Sequence, residues 1–202
     1  MPITVVLVDD QALVRGALAA LLDLETDLSV IGEASTGAEA VAVVRSRAPD
    51  VVLMDVDMPG MDGIEATAAL RAAGSAARVL IVTTFGRPGY LRRALQAGAS
   101  GFVVKDTPAR LLADAVRRVH AGMRVVDPAL ATDSLLAGES PLTPREADVL
   151  RAVRAGGSIA DIARVVHLSE GTVRNHLSNA IGKTNARNRA DAARIADDNG
   201  WL

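Results

Sequence analysis

Short apolar runs alternate with longer stretches of helical period over the first 120 residues of the chain. The short runs are almost continuously apolar, which is typical of parallel strands buried on both faces. The longer stretches repeat their apolar residues with the period of an amphipathic helix. The pattern predicts five strands, at residues 3–8, 30–34, 51–54, 79–83 and 101–104. It predicts five helices, at residues 12–22, 38–47, 63–73, 88–97 and 108–120. This alternation indicates a parallel sheet covered by helices.

Two of the predicted helix starts carry residues that favour helix initiation. Thr36 is followed three residues later by Glu39, which predicts a capping box. Thr107 is followed by Pro108, which predicts that a proline takes the first helical position.

The helical period is lost after residue 121, where Gly, Pro, Ser and Asp accumulate. A strong helix start follows at Thr143, with Pro144 next and a capping-box glutamate at Glu146. Beyond that helix the pattern predicts only further helices, at residues 158–166, 169–183 and 189–198. The sequence therefore predicts two domains and a linker with room for some helix, at residues 1–121, 141–202 and 122–140 respectively.

Composition excludes several classes of protein. The chain has 202 residues and no cysteine, which excludes disulfides, thiolate zinc sites and cysteine nucleophiles. The apolar start ends at Asp9 and is too short for a signal peptide, and no later apolar run approaches the roughly 20 residues of a membrane helix. We therefore expect a soluble cytoplasmic protein. Its formal net charge of -2 implies that any contact with nucleic acid is local.

Acidic residues follow two of the predicted strands, with Asp9 and Asp10 after the first and Asp55 after the third. In a doubly wound sheet the carboxyl ends of the strands meet near the point where the strand order reverses, so these carboxylates should converge. Converging carboxylates need a cation, and hard oxygen ligands of this kind suit Mg²⁺. Lys105 follows the fifth strand and can balance the remaining charge, while Thr83 ends the fourth. One carboxylate could then accept a phosphoryl group; the alternative is that the acids are solvated turn residues.

Four segments at these strand ends resemble the receiver domain of two-component response regulators: VLVDD, LMDVDMPGMDG, VLIVTTF and GFVVKD. The resemblance implies an α/β fold, the flavodoxin-like, doubly wound (βα)5 receiver. It makes Asp55 the phosphoacceptor and Thr83 and Lys105 the phosphate sensors. It also places the aromatic switch of the family at Phe102. It implies a Mg²⁺ site formed by Asp9, Asp10, Asp55 and the backbone carbonyl of Asp57.

The second domain reads as a helix-turn-helix. Its segments PLTPREADVL and SEGTVRNHLSNAIGKT resemble the opening helix and the recognition helix of LuxR/NarL-type DNA-binding domains. Four basic residues and one acidic residue between 169 and 189 give this stretch a local charge of +3. Three outward residues are expected to read bases: Arg174, Asn175 and Ser178. Thr172 and Lys183 are expected to contact phosphates. Without the resemblance, a solvated helix face would be the simpler interpretation.

Together the two resemblances imply a DNA-binding transcriptional regulator of the NarL/FixJ family. Such a protein is phosphorylated by a sensor histidine kinase, forms a homodimer on phosphorylation and binds double-stranded DNA; it is not a turnover enzyme. The stretch TTFGRPGYLRRALQAGASGFVVKD further resembles the DesR-like subgroup, whose known members respond to a membrane-bound kinase. Two alternatives remain open. One is a Mg²⁺-dependent phosphatase, and the other is a receiver whose helical half is a protein-binding adaptor.

Overall fold

A six-stranded parallel sheet forms the centre of the first domain in the computed structural model, which describes residues 1–84, 88–136 and 140–202. The strand order is β2-β1-β3-β4-β5-β6, so the order reverses between β1 and β3. The strands are β1 (Ile3–Val8), β2 (Leu28–Ala34), β3 (Val51–Met54), β4 (Arg78–Thr83), β5 (Gly101–Val104) and β6 (Val125–Val126). The predicted doubly wound α/β fold is thereby confirmed.

Helices cover both faces of this sheet, because successive strand residues point to opposite sides. Val6 and Val52 belong to one buried cluster, which also contains residues of α2, α3 and α4, whereas Val5 and Val51 belong to a second cluster with residues of α1 and α5. The helices are α1 (Ala12–Leu22), α2 (Gly37–Arg47), α3 (Gly63–Ala72), α4 (Pro88–Gln96) and α5 (Ala109–His120). Each predicted strand and helix lies within two residues of its observed bounds.

Two local predictions were wrong. Thr36 does cap α2 by accepting a hydrogen bond from the Glu39 N–H, but the Glu39 carboxylate accepts from the N–H and the hydroxyl of Ser35 instead of closing a capping box. Pro108 does not begin α5. It is the N-cap residue, with an extended ψ of 138°, and the helix begins at Ala109.

The segment between the two predicted domains contains regular structure. Residues 125 and 126 form β6, which pairs in parallel with β5 and was not predicted. The helix α6 (Pro128–Leu136) follows directly, and the Asp127 carboxylate accepts a hydrogen bond from the Ala129 N–H at its start.

The second domain is built from helices around a core of its own. They are α7 (Pro144–Arg154), α8 (Ile159–Val166), α9 (Glu170–Thr184) and α10 (Arg189–Asp198). The capping box of Thr143 and Glu146 at the start of α7 is confirmed. Val149, Ile162, Val173 and Ala196 supply one buried side chain from each of these helices to the core. Among the described residues, none of the helices combines the length and apolarity that a membrane crossing requires.

Candidate acidic site and candidate nucleic-acid interface

The predicted acidic residues meet at the carboxyl ends of β1 and β3. Parallel pairing sets Val8 at the end of β1 beside Met54 at the end of β3, so the residues that follow them are neighbours. Carboxylate oxygens of Asp9, Asp10 and Asp55 all lie within 4.8 Å of one another. Asp9 is 1% exposed and Asp55 3% exposed, whereas Asp10 is exposed. The site therefore has a buried floor and an open side.

Lys105 brings a positive charge to this cluster. Its Nζ lies 2.7 Å from Asp9 Oδ2 and 3.0 Å from Asp55 Oδ2. Burial raises the pKa of Asp55, and the charge of Asp9 adds to this, while Lys105 acts in the opposite direction. Burial alone would lower the pKa of Lys105, but its close pairing with the two carboxylates outweighs burial and raises that pKa. The ammonium is therefore firmly protonated and offsets one of the three carboxylate charges.

Backbone groups fix the orientation of the buried carboxylates. The Val56 N–H donates to Asp55 Oδ1 at 2.8 Å, and the Gln11 N–H donates to Asp9 Oδ1 at 2.9 Å. Arg15 of α1 donates to the backbone carbonyl of Asp9 at 2.7 Å. These contacts hold the acidic side chains in place without using the oxygens that face Lys105.

Gly63 holds Asp55 from the other side, a role that sequence reasoning missed. A Cβ atom built on Gly63 would lie 1.8 Å from the backbone carbonyl oxygen of Asp55 and 2.8 Å from its carbonyl carbon. The Gly63 N–H donates to the Val56 carbonyl at 3.0 Å, so the start of α3 lies directly against the backbone of residues 55 and 56. A glycine at the start of a helix predicts turn chemistry, and only the fold reveals the close approach.

The remaining predicted receiver residues occupy different environments. Thr83 is buried at the end of β4, and its Oγ1 has no hydrogen-bond partner within the described ranges. Phe102 is fully buried in the core. Asp57 is exposed, and its carboxylate lies outside the group formed by the other three acids, which leaves its backbone carbonyl as the predicted ligand atom.

This arrangement fits a divalent cation and a phosphoryl group. Three carboxylates offer hard oxygen donors of the kind that Mg²⁺ prefers, and a single ammonium leaves them with excess negative charge. The unsatisfied hydroxyl of Thr83 is a buried donor that a phosphoryl oxygen would satisfy.

Helix α9 presents the predicted base-reading residues on its exposed face. Ser169 caps the helix by accepting a hydrogen bond from the Thr172 N–H. Val173 and Leu177 are buried in the core of the second domain, and Ile181 packs against that core. The opposite face exposes Arg174, Asn175, Ser178, Asn179 and Gly182. Asn179 and Gly182 were not among the predicted residues.

Both predicted cations of α9 form ion pairs. Arg174 Nη2 lies 2.7 Å from Glu170 Oε2, one turn earlier and at the surface. Lys183 Nζ lies 2.7 Å from Oε2 of Glu146, a buried carboxylate that also accepts from the Thr143 N–H. Lys183 thus ties the end of α9 to the start of α7. The sequence marked Glu146 only as a capping residue, because its contact with Lys183 spans 37 positions.

Two protein-family models match the chain, one over each domain. The family model described as response regulator receiver domain matches residues 5–117, and the model described as bacterial regulatory proteins, luxR family, matches residues 140–196. This chain belongs to the LuxR-family response regulators. A response regulator with these two domains is a DNA-binding transcriptional regulator of a two-component system, and it does not turn over an external substrate.

Relatives of this response regulator match it along almost its whole length. It is 45% identical to the uncharacterized transcriptional regulatory protein YvfU of Bacillus subtilis, over 96% of both chains. It is 41% identical to the transcriptional regulatory protein DesR of the same organism, over 99% of both chains, which confirms the predicted resemblance. Among solved structures, the response regulator ChrA of a heme-sensing two-component system is 34% identical. That alignment has a TM-score of 0.61 and covers 100% of this chain and 99% of ChrA.

Proposed function

We propose that Asp55 is the phosphoacceptor through which a sensor histidine kinase controls DNA binding by this response regulator. The observation that carries the proposal is the buried Asp55 carboxylate, which forms an ion pair with Lys105, as Asp9 does. The neighbouring strand β4 ends at Thr83, whose buried hydroxyl has no hydrogen-bond partner among the described residues. We assign the receiver, the linker and the DNA-binding domain to residues 1–121, 122–140 and 141–202. We place the protein in the cytoplasm, where the kinase domain and the DNA are accessible.

The chemistry is a transfer of one phosphoryl group. An Asp55 carboxylate oxygen attacks the phosphorus of the kinase phosphohistidine, and the histidine nitrogen keeps the electron pair of the breaking P–N bond. Lys105 and Thr83 bind the transferred oxygens, the first by charge and the second by a hydrogen bond. Asp9, Asp10, Asp55 and the Asp57 carbonyl would hold Mg²⁺, which supplies further positive charge. Water slowly reverses the modification, since the burial of Asp55 limits its access.

Dimerisation of the receiver would convert phosphorylation into DNA binding. Leu13 on α1 is 87% exposed and Leu111 on α5 is 58% exposed, and the two helices contact each other. Large exposed apolar side chains on neighbouring helices favour association with a second copy. A homodimer then places two DNA-binding domains on two half-sites, which makes the second contact effectively intramolecular.

On double-stranded DNA, helix α9 would occupy the major groove. Arg174, Asn175 and Ser178 are exposed there and can reach base edges. Thr172 and Lys183 are assigned to phosphates. An ammonium has three donors, so Lys183 can bind a phosphate while it keeps its contact with Glu146.

Acetyl phosphate and Mg²⁺ test the proposal on the full chain. We expect intact-mass spectrometry to find one stable phosphoryl adduct that is absent from Asp55→Asn, and gel retardation on selected genomic fragments to find that the adduct strengthens binding. Arg174→Ala should keep the adduct and lose specific binding. Release of phosphate without an adduct would favour a phosphatase, and an adduct without DNA binding would favour an adaptor.

A further inference from the structure

Tyr90, the only tyrosine of the chain, reaches the loop that follows the phosphoacceptor. It lies in the first turn of α4, and its hydroxyl donates to Asp57 Oδ1 at 3.1 Å across 33 positions of sequence. Asp57 stands two residues after Asp55 in the loop between β3 and α3. A side chain of α4 therefore contacts the segment from which the predicted carbonyl ligand comes.

Packing of the Tyr90 ring against the core holds its hydroxyl in place. Tyr90 is partly buried and packs against the core cluster that contains Val56, Met58 and Phe102. Its hydroxyl can therefore fix the Asp57 side chain in one orientation. In that orientation the Asp57 carboxylate stays outside the group formed by Asp9, Asp10 and Asp55.

The position of the Asp57 carboxylate matters for a cation. A fourth carboxylate entering the cluster would add negative charge beside Asp55 and would compete with the backbone carbonyl of the same residue. We propose that Tyr90 is a positioning residue of the phosphoacceptor site, which keeps the Asp57 side chain away from the cluster and leaves its carbonyl for the metal ion. This inference rests on the proposed function, because it presumes that the cluster binds a divalent cation.

The proposal also gives a role to the segment FGRPGY, which the receiver chemistry does not use. Tyr90 ends this segment; Phe85, Gly86 and Arg87 lie outside the described residues. Phe102, at the family's aromatic position, is fully buried and has no hydroxyl. The one phenol of the chain instead contacts the loop that follows Asp55, from the first turn of α4.

A titration of the full chain with Mn²⁺ tests the inference. The electron paramagnetic resonance signal of the free ion measures how much Mn²⁺ remains unbound. Loss of one hydrogen bond to a carboxylate should make Tyr90→Phe bind Mn²⁺ about three- to tenfold more weakly. In an Asp57→Ala background the same substitution should have no effect, because its target is gone. Gln96→Ala, at an exposed position of α4, is the matched control and should bind as the wild type does. Equal losses in both backgrounds, or unchanged binding by Tyr90→Phe, would overturn the inference.

The rate of adduct formation from acetyl phosphate separates positioning from misfolding. A defect in metal binding should slow Tyr90→Phe at low Mg²⁺ and disappear at saturating Mg²⁺. A defect that persists at saturation would contradict the positioning role. The proposed function itself fails if the wild type forms no adduct and Asp55→Asn binds Mn²⁺ as tightly as the wild type. Only this inference fails if the wild type behaves as proposed and Tyr90→Phe behaves in the same way.

Discussion

Gly63 is the residue whose missing side chain the acidic site requires. Its α carbon lies so close to the Asp55 backbone that a methyl group would overlap the carbonyl oxygen. We expect Gly63→Ala to displace Asp55 or α3, to lower the free energy of unfolding by about 2–4 kcal/mol and to slow adduct formation from acetyl phosphate. Urea unfolding and intact-mass kinetics on the same protein measure both effects.

Gly16 offers a matched control for that substitution. It lies exposed within α1, and a Cβ there meets no atom within 4 Å. Gly16→Ala should therefore stabilise the receiver by up to about 1 kcal/mol through helix propensity alone. If Gly63→Ala changed neither the free energy of unfolding nor the rate of adduct formation more than Gly16→Ala does, the close contact with Asp55 would not be needed for stability or phosphorylation.

The predictability of individual site residues depends on how far along the chain their partners lie. The sequence was sufficient to predict that Asp9, Asp55 and Lys105 meet. Their strands could be predicted from the apolar runs, and the carboxyl ends of parallel strands lie at one edge of the sheet. The contacts of Gly63 and Tyr90 could not be predicted, because they arise where the first turn of a helix packs on the loop that follows Asp55. A pattern of apolar positions places elements but does not report such distances.

At the scale of elements, the contact of α9 with α7 has a dependence on pH. Burial alone would raise the pKa of Glu146, but Lys183 and the groups of Thr143 outweigh burial and lower that pKa. A carboxyl whose pKa is lower in the folded state stabilises the fold above its unfolded value of about 4.3, and this contribution is lost as the pH falls through the folded pKa. The second domain should therefore lose stability below about pH 4.3.

Glu146→Gln tests this dependence. We expect it to destabilise the second domain by about 1–3 kcal/mol at pH 7, because Lys183 loses its partner, and to remove part of the loss below pH 4.3. Trp201, the only tryptophan, packs against the core of this domain, so its fluorescence can follow unfolding. An unaltered pH profile in Glu146→Gln would show that the pair does not link the two helices.

Every predicted element has the predicted type, and the errors concern helix starts and residues 122–140, where the sequence placed neither β6 nor the bounds of α6. β6 has two residues, too few for any period, and it exists because β5 offers an edge. Glu39 turns to Ser35 because the residue before the cap supplies both an N–H and a hydroxyl. These outcomes depend on local geometry, which residue spacing alone does not determine.

At the scale of the whole molecule, the exposed Leu13 of α1 and Leu111 of α5 predict the surface through which the phosphorylated protein dimerises. Leu13→Glu and Leu111→Glu should each block dimerisation of the phosphorylated protein, because a charge would be buried in the interface. The phosphorylation-dependent gain in DNA affinity, about 100-fold or more for a bivalent contact, should then be lost. Light scattering after chromatography and gel retardation measure these effects, while intact mass should show the adduct unchanged. A phosphorylated Leu13→Glu protein that still dimerises would place the interface elsewhere.

The strand order has a consequence for synthesis of the protein. The strand order is β2-β1-β3-β4-β5-β6, so once β1 and β2 have paired, each later strand adds on the same side of the sheet. The strands add in the order in which they leave the ribosome. No strand has to insert between two that are already paired. If β3 pairs with β1 as soon as both strands have left the ribosome, Asp9 and Asp55 meet before β5 brings Lys105 to them. In such a nascent chain the two acids would first meet without their counter-charge, and a divalent cation or a proton would have to take the place of the lysine until β5 docks.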